Sequence, residues 1–253
     1  MPSEKASLFD AFDGWREGPF TLLLDYDGTL VPIAPRPELA APDHDLLELL
    51  AALSTRPGTD LHIVSGRRRE DIEVWFGALT ASLWAEHAFW YRPHPPSRWE
   101  AAAPVPVDAL RIVRPFFERL TAATPGSFIE EKTASLAWHY RGAEAALAGR
   151  QLREVRRALD EVLVGLPLEL LGGKKVLEVR PRGISKALAA RRALKGHVHA
   201  RVLAIGDDES DEELFRALPE SSVTIAIGLE VSSAKFHLHN HDAARRVLRA
   251  LIA

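Results

Sequence analysis

Two carboxylates one residue apart, Asp25 and Asp27, come directly after the apolar run Thr21-Leu22-Leu23-Leu24 and precede Gly28 and Thr29. Such a run reads as a buried strand of a parallel sheet, and acids at its carboxyl end lie where open α/β sheets keep their ligands. Three further acids, Asp207, Asp208 and Asp211, come after a second apolar run, Val202 to Ile205. Carboxylates gathered at one edge of a sheet repel one another unless a cation sits among them, and oxygen-only ligands suit Mg2+. Asp25, Asp27, Asp207, Asp208 and Asp211 are therefore the candidate metal ligands. Lys186 adds a positive charge at a helix start, and Thr29 and Ser65 add hydroxyls. Together they would offset charge on transferring phosphoryl oxygens, so phosphoryl transfer is the chemistry expected. Ser65-Gly66-Arg67 stands at a strand-to-helix junction, where a hydroxyl, backbone N–H groups and a helix N-terminus can receive phosphate.

The elements that must position these residues alternate. Strands are expected at 20–24, 61–64, 82–86, 202–205 and 223–227, with helices at about 43–53, 69–76, 183–194 and 243–252, and a further helix over 3–15. Four prolines in 32–42 make that segment a loop over the top of the sheet. Strand-helix alternation implies a mainly parallel sheet with helices on both faces. Prolines at 93, 95, 96, 104 and 106 then break the pattern, and the stretch after them reads as a separate small α/β unit: helix, hairpin, long helix, two strands. The expected division is a core of 1–102 and 180–253 with an insert at 103–179. Within the hairpin, Glu130 and Lys132 point to one face and Glu131 to the other.

Hydrophobic residues make up 47% and charged residues 26% of the 253, which fits a folded protein with a sizeable core and excludes a disordered chain. No cysteine is present, which removes disulfides, thiolate metal sites and cysteine nucleophiles. The net charge of −3 offers no broad basic surface for nucleic acid. No run approaches a membrane span, and the first residues lack a basic, then apolar, leader pattern, so a cytoplasmic location is expected.

Asp25-Tyr26-Asp27-Gly28-Thr29-Leu30, Ser65-Gly66-Arg67, Lys186 and Gly206-Asp207-Asp208 resemble the four motifs of the haloacid-dehalogenase (HAD) superfamily of phosphatases. More narrowly, the stretches from Glu130 to Arg141, Lys174 to Pro181 and Gly206 to Glu212 are similar to the signatures of trehalose-6-phosphate phosphatases, and the similarity covers nearly the whole chain. The resemblance implies a Rossmann-like HAD core with an α/β cap and a two-step hydrolysis: Asp25 as nucleophile, Asp27 as general acid and base, and Thr29, Ser65 and Lys186 holding the phosphate. It implies Mg2+ held by Asp25, the Asp27 carbonyl and Asp207, with Asp211 and Asp208 in support. It assigns sugar contacts to Glu130, Lys132 and Glu178 of the cap, and to Gly66, Arg67 and His87 of the core. The substrate implied is a sugar phosphate, with a trehalose-phosphate synthase as partner and a monomer expected. Ala88 and Ala187 stand where the family usually has glycine, and Ser210 where threonine is common. The rival readings are a capped phosphatase or phosphomutase for another sugar phosphate, and a non-catalytic sugar-phosphate-binding domain partnering a synthase. The intact set Asp25, Asp27, Lys186 and Asp207 argues against the last. Apart from Arg67, the arginines opening the helix at 69 are expected to be solvated, and His139 to be structural.

Overall fold

The computed structural model describes residues 12, 15, 18–94, 97–195, 201–229 and 231–252. The helix expected over 3–15 lies outside the described residues, apart from Phe12 and Trp15. Two compact units are present, one taking the chain up to Glu100 and again from Ser185, the other Ala101–Ile184.

Along the chain, β1 (Phe20–Leu24) leads through a proline-rich strap, with a single 3-10 turn at Pro37–Leu39, to α1 (His44–Thr55). Next come β2 (Thr59–Val64), α2 (Arg69–Phe76), β3 (Ser82–Ala85), β4 (Trp90–Arg92) and β5 (Glu100–Ala101). The second unit runs through α3 (Val107–Ala122), β6 (Phe128–Glu131), β7 (Leu136–His139), α4 (Ala145–Val162), β8 (Leu168–Gly173) and β9 (Val176–Pro181). The first unit resumes with α5 (Lys186–Ala193), β10 (Arg201–Gly206), α6 (Glu209–Ala217), β11 (Val223–Ile227), β12 (Phe236–Leu238) and α7 (His241–Ala250).

The first unit is the expected α/β core. Its sheet has the order β12-β11-β10-β1-β2-β3-β4-β5; neighbours from β12 to β3 pair in parallel, and β4 returns antiparallel to β3. β1 lies mid-sheet and is buried on both faces. Leu22 and Leu24 join α1, α2 and α7 in one apolar cluster, while Leu23 joins α5 and α6 in the other. That two-sided burial explains the unbroken apolar run, and each fully buried leucine contributes about 1.5–3 kcal/mol. Asp43 caps α1 by accepting from the Leu46 N–H at 2.8 Å.

The second unit is a four-stranded antiparallel sheet in the order β6-β7-β9-β8. One face is apolar: Trp138, Leu177 and Val179 pack with Val113 and Phe117 of α3 and Val155 and Leu159 of α4. The register sets the opposite face. Ala137 pairs with Glu130 on one side and with Glu178 on the other, so both glutamates point the same way as Ser135 and His139, two residues to either side of Ala137. Among the described residues, no helix is long and apolar enough to cross a membrane.

Candidate active site

β1 and β10 run side by side with Leu24 opposite Ile205, and the Asp25 N–H donates to the Ile205 carbonyl at 3.0 Å. The strands therefore deliver Asp25 and Asp207 to the same edge. The chain after Asp25 turns back at once, with the N–H groups of Leu30 and Val31 donating to the Tyr26 carbonyl. This turn brings the Thr29 hydroxyl onto one Asp25 oxygen at 3.0 Å, and the Lys186 ammonium donates to the other at 2.6 Å. Lys186 is the first residue of α5, whose N-cap is Ser185. Its second partner is Asp211, at 2.8 Å.

Gly28 is required by this geometry. It has φ +79°, and a β-carbon there would fall 2.1 Å from Asp207 Oδ2. Replacing Gly28 with Ala is expected to displace the Asp207 carboxylate, cost about 1–3 kcal/mol of stability and reduce turnover by about 100-fold. A thermal melt and an initial-rate assay of the variant check both effects.

Asp25, Asp207 and Asp211 are buried, and oxygens of the three carboxylates lie within 4.8 Å of one another. Burial pushes the Asp25 carboxyl up to about 7; Lys186 works against the shift, and Asp207 and Asp208 add to it. Burial and the neighbouring Asp25 likewise hold Asp211 well above the usual carboxylate range against the pull of Lys186. On Lys186, burial opposes the charge, but Asp211, Asp25 and Asp208 outweigh it and keep the amine protonated. Negative charge is thus in excess over the single lysine. An oxygen-only donor set of this kind fits a hard divalent cation.

The five candidate ligands separate by what already holds them. Asp208 is the N-cap of α6 and accepts from the Ser210 N–H at 2.9 Å and hydroxyl at 2.6 Å. Burial would raise its carboxyl, but Lys186 and the Ser210 bond hold it at about 2. Asp211 closes the capping box, with one oxygen taking the N–H groups of Asp207 and Asp208 at 3.0 and 3.2 Å and the other taking Lys186. Both therefore brace the loop that carries Asp207. The Asp27 side chain turns elsewhere: the Arg67 guanidinium grips it with two bonds of 2.7 Å.

Ser65 is buried at the end of β2, its hydroxyl accepting from the Arg67 N–H at 3.2 Å. His87 is stitched to it by its own N–H donating to the Ser65 carbonyl at 3.0 Å. The imidazole lies against Gly66, where a β-carbon would meet it at 2.6 Å. Glu86, His87 and Ala88 all have positive φ, at 50°, 56° and 73°. Ala88 thus holds a left-handed conformation that glycine adopts without strain, which accounts physically for the glycine usual there. Ala187 sits buried in the first turn of α5, its N–H donating to the Ser185 hydroxyl.

In the second unit, Lys132 donates to both oxygens of Glu178, at 3.1 and 3.0 Å, and Ser135 donates to one of them at 2.5 Å. His139 Nε2 meets Glu130 at 2.7 Å, with its ring stacked on Phe128 at 4.8 Å. Burial would raise the Glu130 carboxyl, but Lys132 and His139 hold it low. His139 and Ser135 thus join the polar set, a link that the strand register carries and the bare sequence does not.

A family model described as trehalose-phosphatase matches residues 23–248. The chain belongs to the trehalose-phosphatase family. The match takes in the site residues of both units, from Asp25 to Asp211. Over 230 residues the chain is 41% identical to a bifunctional trehalose-6-phosphate synthase/phosphatase of Thermoproteus tenax, covering 91% of this chain and 31% of that protein. The C-terminal domain of a trehalose-6-phosphate phosphatase from C. albicans is similar in structure, with TM-score 0.89, 27% identity and coverage of 96% of this chain and 95% of that one. A haloacid dehalogenase-like hydrolase from Bacteroides thetaiotaomicron, at 16% identity, TM-score 0.66 and coverage of 92% and 98%, shares the fold. The chain spans under a third of the length of the curated relatives it matches, 31%, 27% and 29% for three of them. The core of this family member thus has the same fold as that hydrolase, as its motifs lead one to expect.

Proposed function

We propose that this chain is a magnesium-dependent phosphatase that hydrolyses trehalose 6-phosphate to trehalose and phosphate through an aspartyl-phosphate on Asp25. The observation that carries the reading is the Asp25 carboxylate itself, held between the Thr29 hydroxyl and the Lys186 ammonium and beside Asp207 and Asp211. Both of its oxygens are oriented, which suits a nucleophile that attacks along one line.

In the first step an Asp25 oxygen bonds to phosphorus while the bond from phosphorus to the sugar oxygen breaks, and Asp27 gives that oxygen its proton. Trehalose leaves. In the second step Asp27 takes a proton from water, the water oxygen bonds to phosphorus, and the bond to Asp25 breaks to release phosphate. Lys186, Thr29 and Ser65 neutralise and hold the phosphoryl oxygens throughout. Asp25, the Asp27 carbonyl and Asp207 would hold Mg2+, with Asp211 and Asp208 fixing the loop that presents Asp207. Bound there, Mg2+ would supply charge neutralisation on the phosphoryl group.

Glu130, Lys132 and Glu178 are the sugar-recognising groups in this reading, supported by Ser135 and His139, and the second unit is the cap. Carboxylates and an ammonium already fixed by one another present acceptors and donors to sugar hydroxyls with little ordering left to do. A trehalose-phosphate synthase is the favoured partner, since the Thermoproteus tenax relative is a bifunctional trehalose-6-phosphate synthase/phosphatase.

Phosphate release from trehalose 6-phosphate, glucose 6-phosphate and sucrose 6-phosphate tests the reading. The expected result is turnover of trehalose 6-phosphate above the other two, abolished by a chelator and restored by Mg2+. Equal turnover of all three would return the choice to a broader sugar-phosphate phosphatase. In the same assay Lys132→Ala is expected to raise KM for trehalose 6-phosphate by about tenfold or more, since it removes a donor and the cation that pairs with the buried Glu178.

A further inference from the structure

The Asp27 side chain has one task in the proposed reaction, to give a proton to the sugar oxygen and then take one from water, and that task needs its carboxylate aimed. Within the first unit Arg67 does the aiming. Nε and Nη2 of Arg67 each donate to a different oxygen of Asp27 at 2.7 Å, the planar fork-on-fork pairing that fixes a carboxylate in plane as well as in distance. Nη1 of the same guanidinium donates to the Pro37 carbonyl at 2.6 Å. The strap that carries Pro37 is in turn tied down by the Tyr26 hydroxyl, which donates to the Ala40 carbonyl at 2.5 Å. The guanidinium carbon lies 4.8 Å from the centre of the Trp75 ring and 5.7 Å from that of Tyr26. Arg67 is 9% exposed while Asp27 is 34% exposed. The clamp is buried and what it holds is open to solvent.

A guanidinium with its fork on a neighbouring acid, its third nitrogen on a backbone carbonyl and two aromatic rings beside it is fixed in both position and plane, which suits it to aim that acid. We propose that Arg67 is a positioning residue that acts through Asp27, setting the orientation of the acid/base carboxylate, with the Pro37 strap and Trp75 holding the clamp. This rests on the phosphatase reading and assigns Arg67 a place in its proton transfer in place of the sugar contact that the resemblance implies.

The two roles separate on an ester that has no sugar. p-Nitrophenyl phosphate needs no disaccharide contact, and its leaving group departs without a proton, yet breakdown of the phosphoenzyme still needs Asp27 as base. Arg67→Gln is therefore expected to retain the initial burst of nitrophenolate while steady-state turnover falls by about 100-fold, and to lower kcat for trehalose 6-phosphate by at least as much with KM little changed. Arg67→Lys, which keeps the charge and loses the fork, is expected to recover only a small part. In a cycle with Asp27→Asn, Arg67→Gln should add no further loss on the aryl ester. Trp75→Leu removes the ring beneath the guanidinium and leaves the fork in place; it should give the same pattern more weakly, and it serves if Arg67→Gln does not fold. Unchanged aryl phosphate turnover in Arg67→Gln, with a raised KM for trehalose 6-phosphate, overturns the proposal in favour of a sugar contact. Additive losses in the cycle overturn it as well. A wild-type chain that releases phosphate from neither ester overturns the phosphatase reading and this inference with it.

Discussion

Asp25→Asn is expected to abolish phosphate release, by about 10,000-fold or more, while leaving the protein folded. The amide has the shape of the carboxylate and keeps one oxygen to accept from Thr29 or Lys186, so the local packing survives. Its loss is chemical: an amide does not attack phosphorus. Burial and the neighbouring Asp207 and Asp208 already push the Asp25 carboxyl up to about 7, so a neutral group at this position relieves repulsion within the cluster. The thermal midpoint of the variant should match or exceed that of the wild type in the absence of metal. Turnover equal to wild type would show that Asp25 is not the nucleophile.

Lys186→Met is expected to fail in the opposite way, losing stability along with activity. Lys186 is fully buried and bonds both Asp25 and Asp211. Removing the ammonium leaves two buried carboxylates facing each other with no cation between them, and breaking a buried ion pair from one side costs about 3–5 kcal/mol. Chemical denaturation of the purified variant measures the loss directly. A double variant, Lys186→Met with Asp25→Asn, should recover part of the stability and none of the activity, because it removes a charge that the lysine was balancing. If Lys186→Met alone unfolds at the wild-type denaturant concentration, the electrostatic account of this cluster is wrong.

The core and the edge that carries the candidate site are largely legible in the chain. Leu22, Leu23 and Leu24 read as a strand covered on both sides, and acids that end it and a parallel neighbour emerge at one edge of the sheet. What local pattern does not show is which acid is spoken for by which base. Arg67 and Asp27 are 40 residues apart, and nothing local distinguishes a guanidinium that grips an acid from one that waits for a ligand. Asp208 and Asp211 read alike as acids beside Asp207, and nothing local shows that Asp208 caps α6 while Asp211 divides its oxygens between the Asp207 and Asp208 N–H groups and Lys186, within reach of Asp25 and Asp207. The pairing of His139 with Glu130 depends on hairpin register. One residue of slip would turn His139 to the apolar face, so composition alone does not decide its role. Ala88 shows a further limit, since its left-handed backbone is set by the turn between β3 and β4 and not by its own preference.

Rapid acid quench of the wild-type chain turning over trehalose 6-phosphate with Mg2+, then mapping of the phosphorylated peptide, tests whether Asp25 is the nucleophile. A phosphoryl group is expected on Asp25, formed together with one equivalent of free trehalose and lost on longer reaction times as phosphate appears. Phosphate released with no phosphoryl group on the chain at any time, or a phosphoryl group on a residue other than Asp25, would contradict it.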